Sequence, residues 1–312
     1  MRVLHALTLT VAALLLGACG SHSASDGTAG IGPTDPTTGN GAGPGAAAAF
    51  HPLFAIAQGL LPYPTDLYFA GSTDGTLRLP TTAQDPFFLN SASLNQLDGF
   101  STTAPITVRF STPIDATTLN PADVVVIRLT LDNTTKGPSL PPAPGAQLPK
   151  ALVYGTDYRV YVVGAGPAGA LATAVDGGGT TLAIEPMHPL DASSFGTNIG
   201  YLVLLTNGIK DMSGNAAGPD SDYAIVQQGA LADLAAGKTK PTCLTVTDPT
   251  LNEVCQLTFG HLAIAAQGGL NPANVVVSFS FSTESTTDTL NVLWATYQAT
   301  PVAAGAIAAA VR

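Results

Sequence analysis

The stretch Tyr201–Asn215, YLVLLTNGIKDMSGN, restricts what this chain can fold into more than any other. Tyr201 to Thr206 is a short apolar run rich in β-formers, long enough for one buried strand. Asn207-Gly208 turns the chain, and Ile209 returns one apolar side chain to the core. Asp211 to Asn215 predicts a second tight turn, where Asp and Asn bond nearby amides and Gly214 takes a positive φ.

Other segments supply strands for this one to pair with. Ile106-Thr107-Val108-Arg109-Phe110 alternates, with Ile106, Val108 and Phe110 inward. Val124 to Leu131 is a second β-rich run, and Lys136 to Lys150 is a Pro-rich loop. Leu152 to Val163 alternates again, followed by Ala183-Ile184, by Tyr201–Leu205 and by Tyr223–Val226. Short strands at this spacing, with no regular helix between them, predict an antiparallel sandwich and not a parallel sheet. Strand, turn, apolar touch and turn at Tyr201–Asn215 resembles a late strand of bacterial immunoglobulin-like domains. The expected fold class is therefore mainly β, an immunoglobulin-like antiparallel β-sandwich over residues 50–228, with added helices in the C-terminal part.

Residues 229–312 read as a mixed extension. Leu231, Leu234 and Ala235 suggest a short helix. Asp248 caps a second, with Pro249 at its first position, Gly268-Gly269 at its end, and Leu251, Val254, Cys255 and Leu262 on one face. Val275 to Phe281 is a strand. Thr289 to Gln298 is expected to be a helix burying Leu290, Leu293, Trp294 and Tyr297, with Pro301 stopping it.

The N-terminus carries an address. Arg2 and the apolar stretch Leu4–Leu16 make residues 1–18 a signal peptide, too short for a stable membrane span. Leu16-Gly17-Ala18-Cys19 matches the lipobox of bacterial lipoproteins, which makes Cys19 the expected lipidation site. The thiol of such a cysteine takes a diacylglyceryl group, and cleavage frees its amine for a further acyl chain. Gly20 after the cysteine is similar to lipoproteins passed on to the outer membrane, with the domain facing the periplasm or the cell surface. Residues 19–49 are dominated by Gly, Ala, Ser, Thr and Pro, a composition that cannot offset its ordering entropy, and read as a tether. The formal charge of −10 argues against nucleic acid and against charge-driven binding to anionic lipid.

Several segments together carry a resemblance. Pro62-Tyr63-Pro64-Thr65-Asp66-Leu67, Leu97-Asp98-Gly99-Phe100-Ser101-Thr102, Glu185-Pro186 with Pro189-Leu190-Asp191, Tyr201 to Asp211, and Phe279-Ser280-Phe281-Ser282-Thr283-Glu284-Ser285 occur in that order. Together they resemble the N-terminal domain of bacterial virulence-factor lipases, surface lipoproteins that include lysophospholipases. The resemblance covers roughly residues 50–300 and implies an accessory domain that precedes an α/β-hydrolase domain. The expectation is of a non-catalytic accessory domain whose hydrolase partner lies beyond this sequence through truncation or splitting. A self-standing surface binding lipoprotein is the alternative.

The residues themselves show no nucleophile elbow. A hydrolase of that type needs a serine flanked by glycines two places before and after. Gly99-Phe100-Ser101 and Gly137-Pro138-Ser139 each supply only the first. His188 reads as a loop residue and His261 as a surface or partly buried residue of the Asp248–Gln267 helix. Gly164-Ala165-Gly166-Pro167-Ala168-Gly169, with Glu185 downstream, has the outline of a dinucleotide loop. The helix after it would be two turns at most and the chain around it is β-rich, so it reads as a coincidental glycine loop, and no cofactor is expected. Cys243 and Cys255 lack neighbouring histidines for a metal, and in an exported protein they are expected to form a disulfide. Asp211, Asn215, Asp220 and Asp222 have ligand types that suit calcium, though solvated turn acids are the commoner use of such residues. Tyr63, Tyr68 and Phe69 are expected to pin an extended segment to the sandwich, with a ligand site as the other use of such a cluster.

Overall fold

The computed structural model describes residues 47–79, 93–132, 149–163, 179–194 and 197–299. Among them seven strands form two antiparallel sheets. These are β1 (Ile106–Arg109), β2 (Val124–Leu131), β3 (Lys150–Ala151), β4 (Tyr158–Val163), β5 (Thr181–Pro186), β6 (Asn198–Thr206) and β7 (Val275–Ser282). One sheet runs β1-β5-β4 and the other β3-β2-β6-β7. Three α-helices follow the first six strands or flank β7: α1 (Ser221–Ala235), α2 (Pro249–Gln267) and α3 (Asp288–Ala299). The expected mainly β sandwich with added C-terminal helices is the observed fold. Signal residues 1–18, Cys19, most of the tether and the Gly164–Gly169 loop lie outside the described residues.

β6 is the centre of the molecule, and all of its residues are buried. A strand apolar at successive positions must be covered on both faces. Along one face, Leu202 and Leu204 stand in register with Ser280 and Ser278 of β7, and α1 and α2 reach those serines through Tyr223 and His261. On the other face Tyr201 stacks on Phe281 with centroids 5.7 Å apart. The sheets are tied directly where the Tyr158 hydroxyl of β4 donates to the Val124 carbonyl of β2 at 2.6 Å. Desolvation there pushes the Tyr158 phenol up to about 12.

The two turns after β6 form as their residues dictate. Ile209 is fully buried, the Asp211 carboxylate accepts from the amides of Ser213 and Asn215, and Gly214 has φ +84°. Asp248 caps α2 by accepting from the Leu251 amide, and Pro249 begins the helix.

Three expectations need correction. Tyr223–Val226 is not a strand but the first turns of α1. Asp220 caps that helix, and Tyr223, Val226 and Ala230 are buried at helical spacing, so the period of the longer segment overrides the β preference of the short run. Leu152 to Asp157 does not continue β4 either. Gly155 takes φ +78° there, and the Asp157 carboxylate accepts from the Val153 amide, closing a turn. In α3 the helix is present, but Leu290, Leu293 and Trp294 are 65%, 61% and 63% exposed. Amphipathic spacing showed that these side chains share a face, and the described residues supply nothing that covers it.

Candidate functional site

Among the described residues, His261 is the histidine drawn into a polar cluster of the interior. Its position on α2 aims the ring at β7, where Nδ1 meets Ser278 Oγ at 3.1 Å and Nε2 meets Ser280 Oγ at 3.2 Å. Ser278 Oγ also shares a hydrogen bond with the Tyr223 hydroxyl of α1 at 2.8 Å. The expectation of a surface or partly buried histidine is wrong: His261 is 3% exposed. Burial holds its pKa down at about 3, so the ring is neutral. The serines alternate along β7 with Val277, Phe279 and Phe281, and a strand with polar residues on one buried face needs partners there.

This serine–histidine contact is not built as a hydrolytic dyad. Each ring nitrogen faces a serine, which leaves neither for an orienting carboxylate. Asp66 lines the same cavity, but its Oδ1 is taken by the amide and hydroxyl of Ser282 at 2.7 and 2.8 Å. The cavity, lined also by Phe54, Thr65 and Phe279, measures about 20 Å³, enough for about one water and no acyl chain. His51, which the sequence reading overlooked, is likewise occupied. Its Nδ1 contacts the Ala48 carbonyl and its Nε2 lies 3.5 Å from Asp220. His188 is exposed on the loop after β5. Ser101 uses its hydroxyl to accept from the Thr103 and Ala104 amides.

The segments that carry the family resemblance, scattered over the sequence, meet at the end of β7. Asp66 grips Ser282. Phe100 donates its amide to the Ser282 carbonyl and accepts from Glu284, while Asp98 accepts from the amide of Ser285 at 3.0 Å and from its hydroxyl. Gly99 belongs at this crossing, because a Cβ there would strike the Thr283–Glu284 backbone. From the other side, Thr283 Oγ1 donates to the Asp191 carbonyl at 2.8 Å. The Asp191 amide in turn donates to the Tyr201 hydroxyl. Asp191 also pairs with the buried Arg128 at 2.5 Å. Tyr63 and Phe69 pack edge-on against Phe100, so the aromatic segment does pin to the sandwich. α3 leaves from this junction, starting at the buried Asp288.

A second cluster fixes α1 to α2. Cys243 and Cys255 form the expected disulfide, Cα to Cα 6.1 Å. Asp233 on α1 holds the loop leading to it, accepting from the amides of Thr242 and Cys243 and from Lys238. Burial alone would raise the Asp233 pKa, but the Lys238, Cys243 and Thr242 bonds outweigh it and hold it well below the carboxylate range. Gly229 lets the helices approach: a Cβ would sit 2.6 Å from Val246 and 2.8 Å from the Cys255 sulfur.

The acids considered for calcium are used singly. Asp211 is held by Asn215 and its own turn, Asp220 accepts from the Phe54 and Asp222 amides, and Asp222 accepts from the Ile56 amide. Among the described residues no three His, Cys, Asp or Glu side chains converge as a metal site. Glu185 pairs with Arg159 at 2.7 Å.

No curated protein and no solved structure matches this chain. A family model described as bacterial virulence factor lipase N-terminal matches residues 62–311. The match takes in the Asp66, Gly99, Asp191 and Ser282 segments that close on the end of β7, and it continues through α3. The chain belongs to the bacterial virulence factor lipase N-terminal family.

Proposed function

We propose that this chain is the non-catalytic accessory domain of a bacterial lipase or lysophospholipase, held at a membrane through Cys19. The family match over residues 62–311 carries this reading. Chemistry supports it: acyl transfer needs an accessible nucleophile, a base beside it and donors for the oxyanion. The internal contact that pairs serine with histidine is sealed and committed at both ring nitrogens. The nucleophile then belongs to a hydrolase domain outside the matched residues, on this chain or another. Lipid attachment rests on Leu16-Gly17-Ala18-Cys19, and an outer-membrane destination on Gly20 after it.

The described residues all fall in one compact unit, so a protein of residues 20–312 keeps it whole. Purified in that form, it is expected not to hydrolyse nitrophenyl esters or lysophosphatidylcholine. A complete family member with its hydrolase domain should do so in the same assay. Turnover by the isolated chain, abolished by a serine-directed phosphonate that labels it, would overturn the proposal.

A further inference from the structure

Helix α3 projects from the junction at the end of β7 with its large side chains in solvent. Leu290, Leu293 and Trp294 are 65%, 61% and 63% exposed, and with Tyr297 they stand at i, i+3, i+4 and i+7, one face of a helix. Exposure is not confined to that stripe. Val292, on a different face, is 48% exposed, and every side chain from 290 to 296 is open to solvent. A helix this short is marginal in water on its own. Its base, by contrast, is fixed: Asp98 holds Ser285, Glu284 pairs with Phe100, and Asp288 is buried.

We propose that α3 is a membrane-docking element that seats Leu290, Leu293, Trp294 and Tyr297 in the interfacial layer of an uncharged bilayer. Three observations favour lipid over a protein groove. From Thr289 to Ala299 the helix has no acidic or basic side chain, so it enters a low-dielectric layer without stripping a charge of water. Trp294 and Tyr297 stack with centroids 5.7 Å apart and planes 26° from parallel, presenting one broad amphipathic surface of the kind that collects at membrane interfaces. The apolar exposure reaches Val292, beyond the stripe that a groove would take up. The proposal rests on the membrane-anchored reading for its biological setting. A Gly- and Ala-rich stretch as long as that between Cys19 and Phe50 spans about 30 Å, so acylation at Cys19 would keep the folded unit close to the bilayer. The helix then acts as a second, weak attachment that orients the domain. The chain's formal charge of −10 sets the lipid preference: anionic headgroups repel it, so attachment comes from apolar contact.

Trp294 is the only tryptophan of the chain and reports on this helix directly. The experiment uses residues 20–312 without Cys19, so its result is independent of whether Cys19 is acylated; that is read separately by acyl labelling. With phosphatidylcholine vesicles, Trp294 emission is expected to shift to the blue and to be quenched by brominated acyl chains, and the protein to sediment with the lipid. Leu290→Ser with Leu293→Ser keeps the reporter and should weaken half-saturation about tenfold or more, with the far-UV spectrum unchanged because both residues are exposed. Vesicles containing phosphatidylglycerol should bind more weakly than neutral ones at low salt. Unchanged emission at high lipid overturns the proposal, as does equal quenching in the double variant or tighter binding to anionic vesicles. Emission already blue-shifted in buffer, with the mass of a dimer by light scattering, would assign the face to a second copy. A shift seen only on adding the hydrolase domain of a complete family member would assign it to protein.

Discussion

A histidine that meets a serine at each ring nitrogen inside an apolar layer is kept neutral by its surroundings. His261 titrates near 6.5 when the chain is unfolded and at about 3 in the fold. Between those values the unfolded chain binds a proton that the native chain refuses, so stability falls as pH drops from about 6.5 toward 3 and is fully present above that window. The limiting slope is about 1.4 kcal/mol per pH unit for one such group. His261→Gln removes the titration while leaving a polar side chain near the serines. Urea midpoints measured from pH 7 to pH 4 should fall less steeply for this variant than for the native protein. Parallel curves would mean that His261 is not the group involved. At this scale the sequence was informative where a residue acts on its near neighbours, as Asp248 and Asp211 do. Asp66 and His261 were opaque for the opposite reason: Asp66 serves Ser282 across 216 positions of chain, and spacing along a sequence does not reveal which strand a side chain will face.

Elements were legible in proportion to how much of their stability is local. The strand and double turn at Tyr201–Asn215 follow from apolar run, Gly and Asp, and α2 follows from its cap. α1 was split between a strand and a short helix because Tyr223–Val226 is β-favouring in isolation, whereas its burial belongs to a longer helix. For α3 the period was right, but periodicity says nothing about whether a partner face exists. The α1–α2 pair also shows how a small number of contacts fixes two helices. The disulfide closes a loop of 12 positions, and Asp233 orders the residues leading into it. Replacing both Cys243 and Cys255 by Ser is expected to lower unfolding free energy by about 3 kcal/mol. Denaturant titration of the variant, and of the native protein with and without reductant, measures this. A reductant that leaves the native midpoint unmoved, with both thiols alkylated, would show that the bond adds no stability.

At the level of the whole molecule, the anchor is argued from Leu16 to Cys19 alone. Cells supplied with an alkyne fatty acid should label the native chain and not Cys19→Ser, and equal label on both would remove the membrane tether from the proposal. The junction at the end of β7 has a consequence in time as well as space. Ribosomes deliver β6 well before β7, with α1 and α2 between them, so a nascent chain holds a central strand with an open row of amides and carbonyls until Ser282 has emerged. The bonds that Asp66 and Phe100 make to Ser282 cannot form during that interval. The β6 edge and the junction at Ser282 therefore close last, bringing early-made and late-made segments of the chain together.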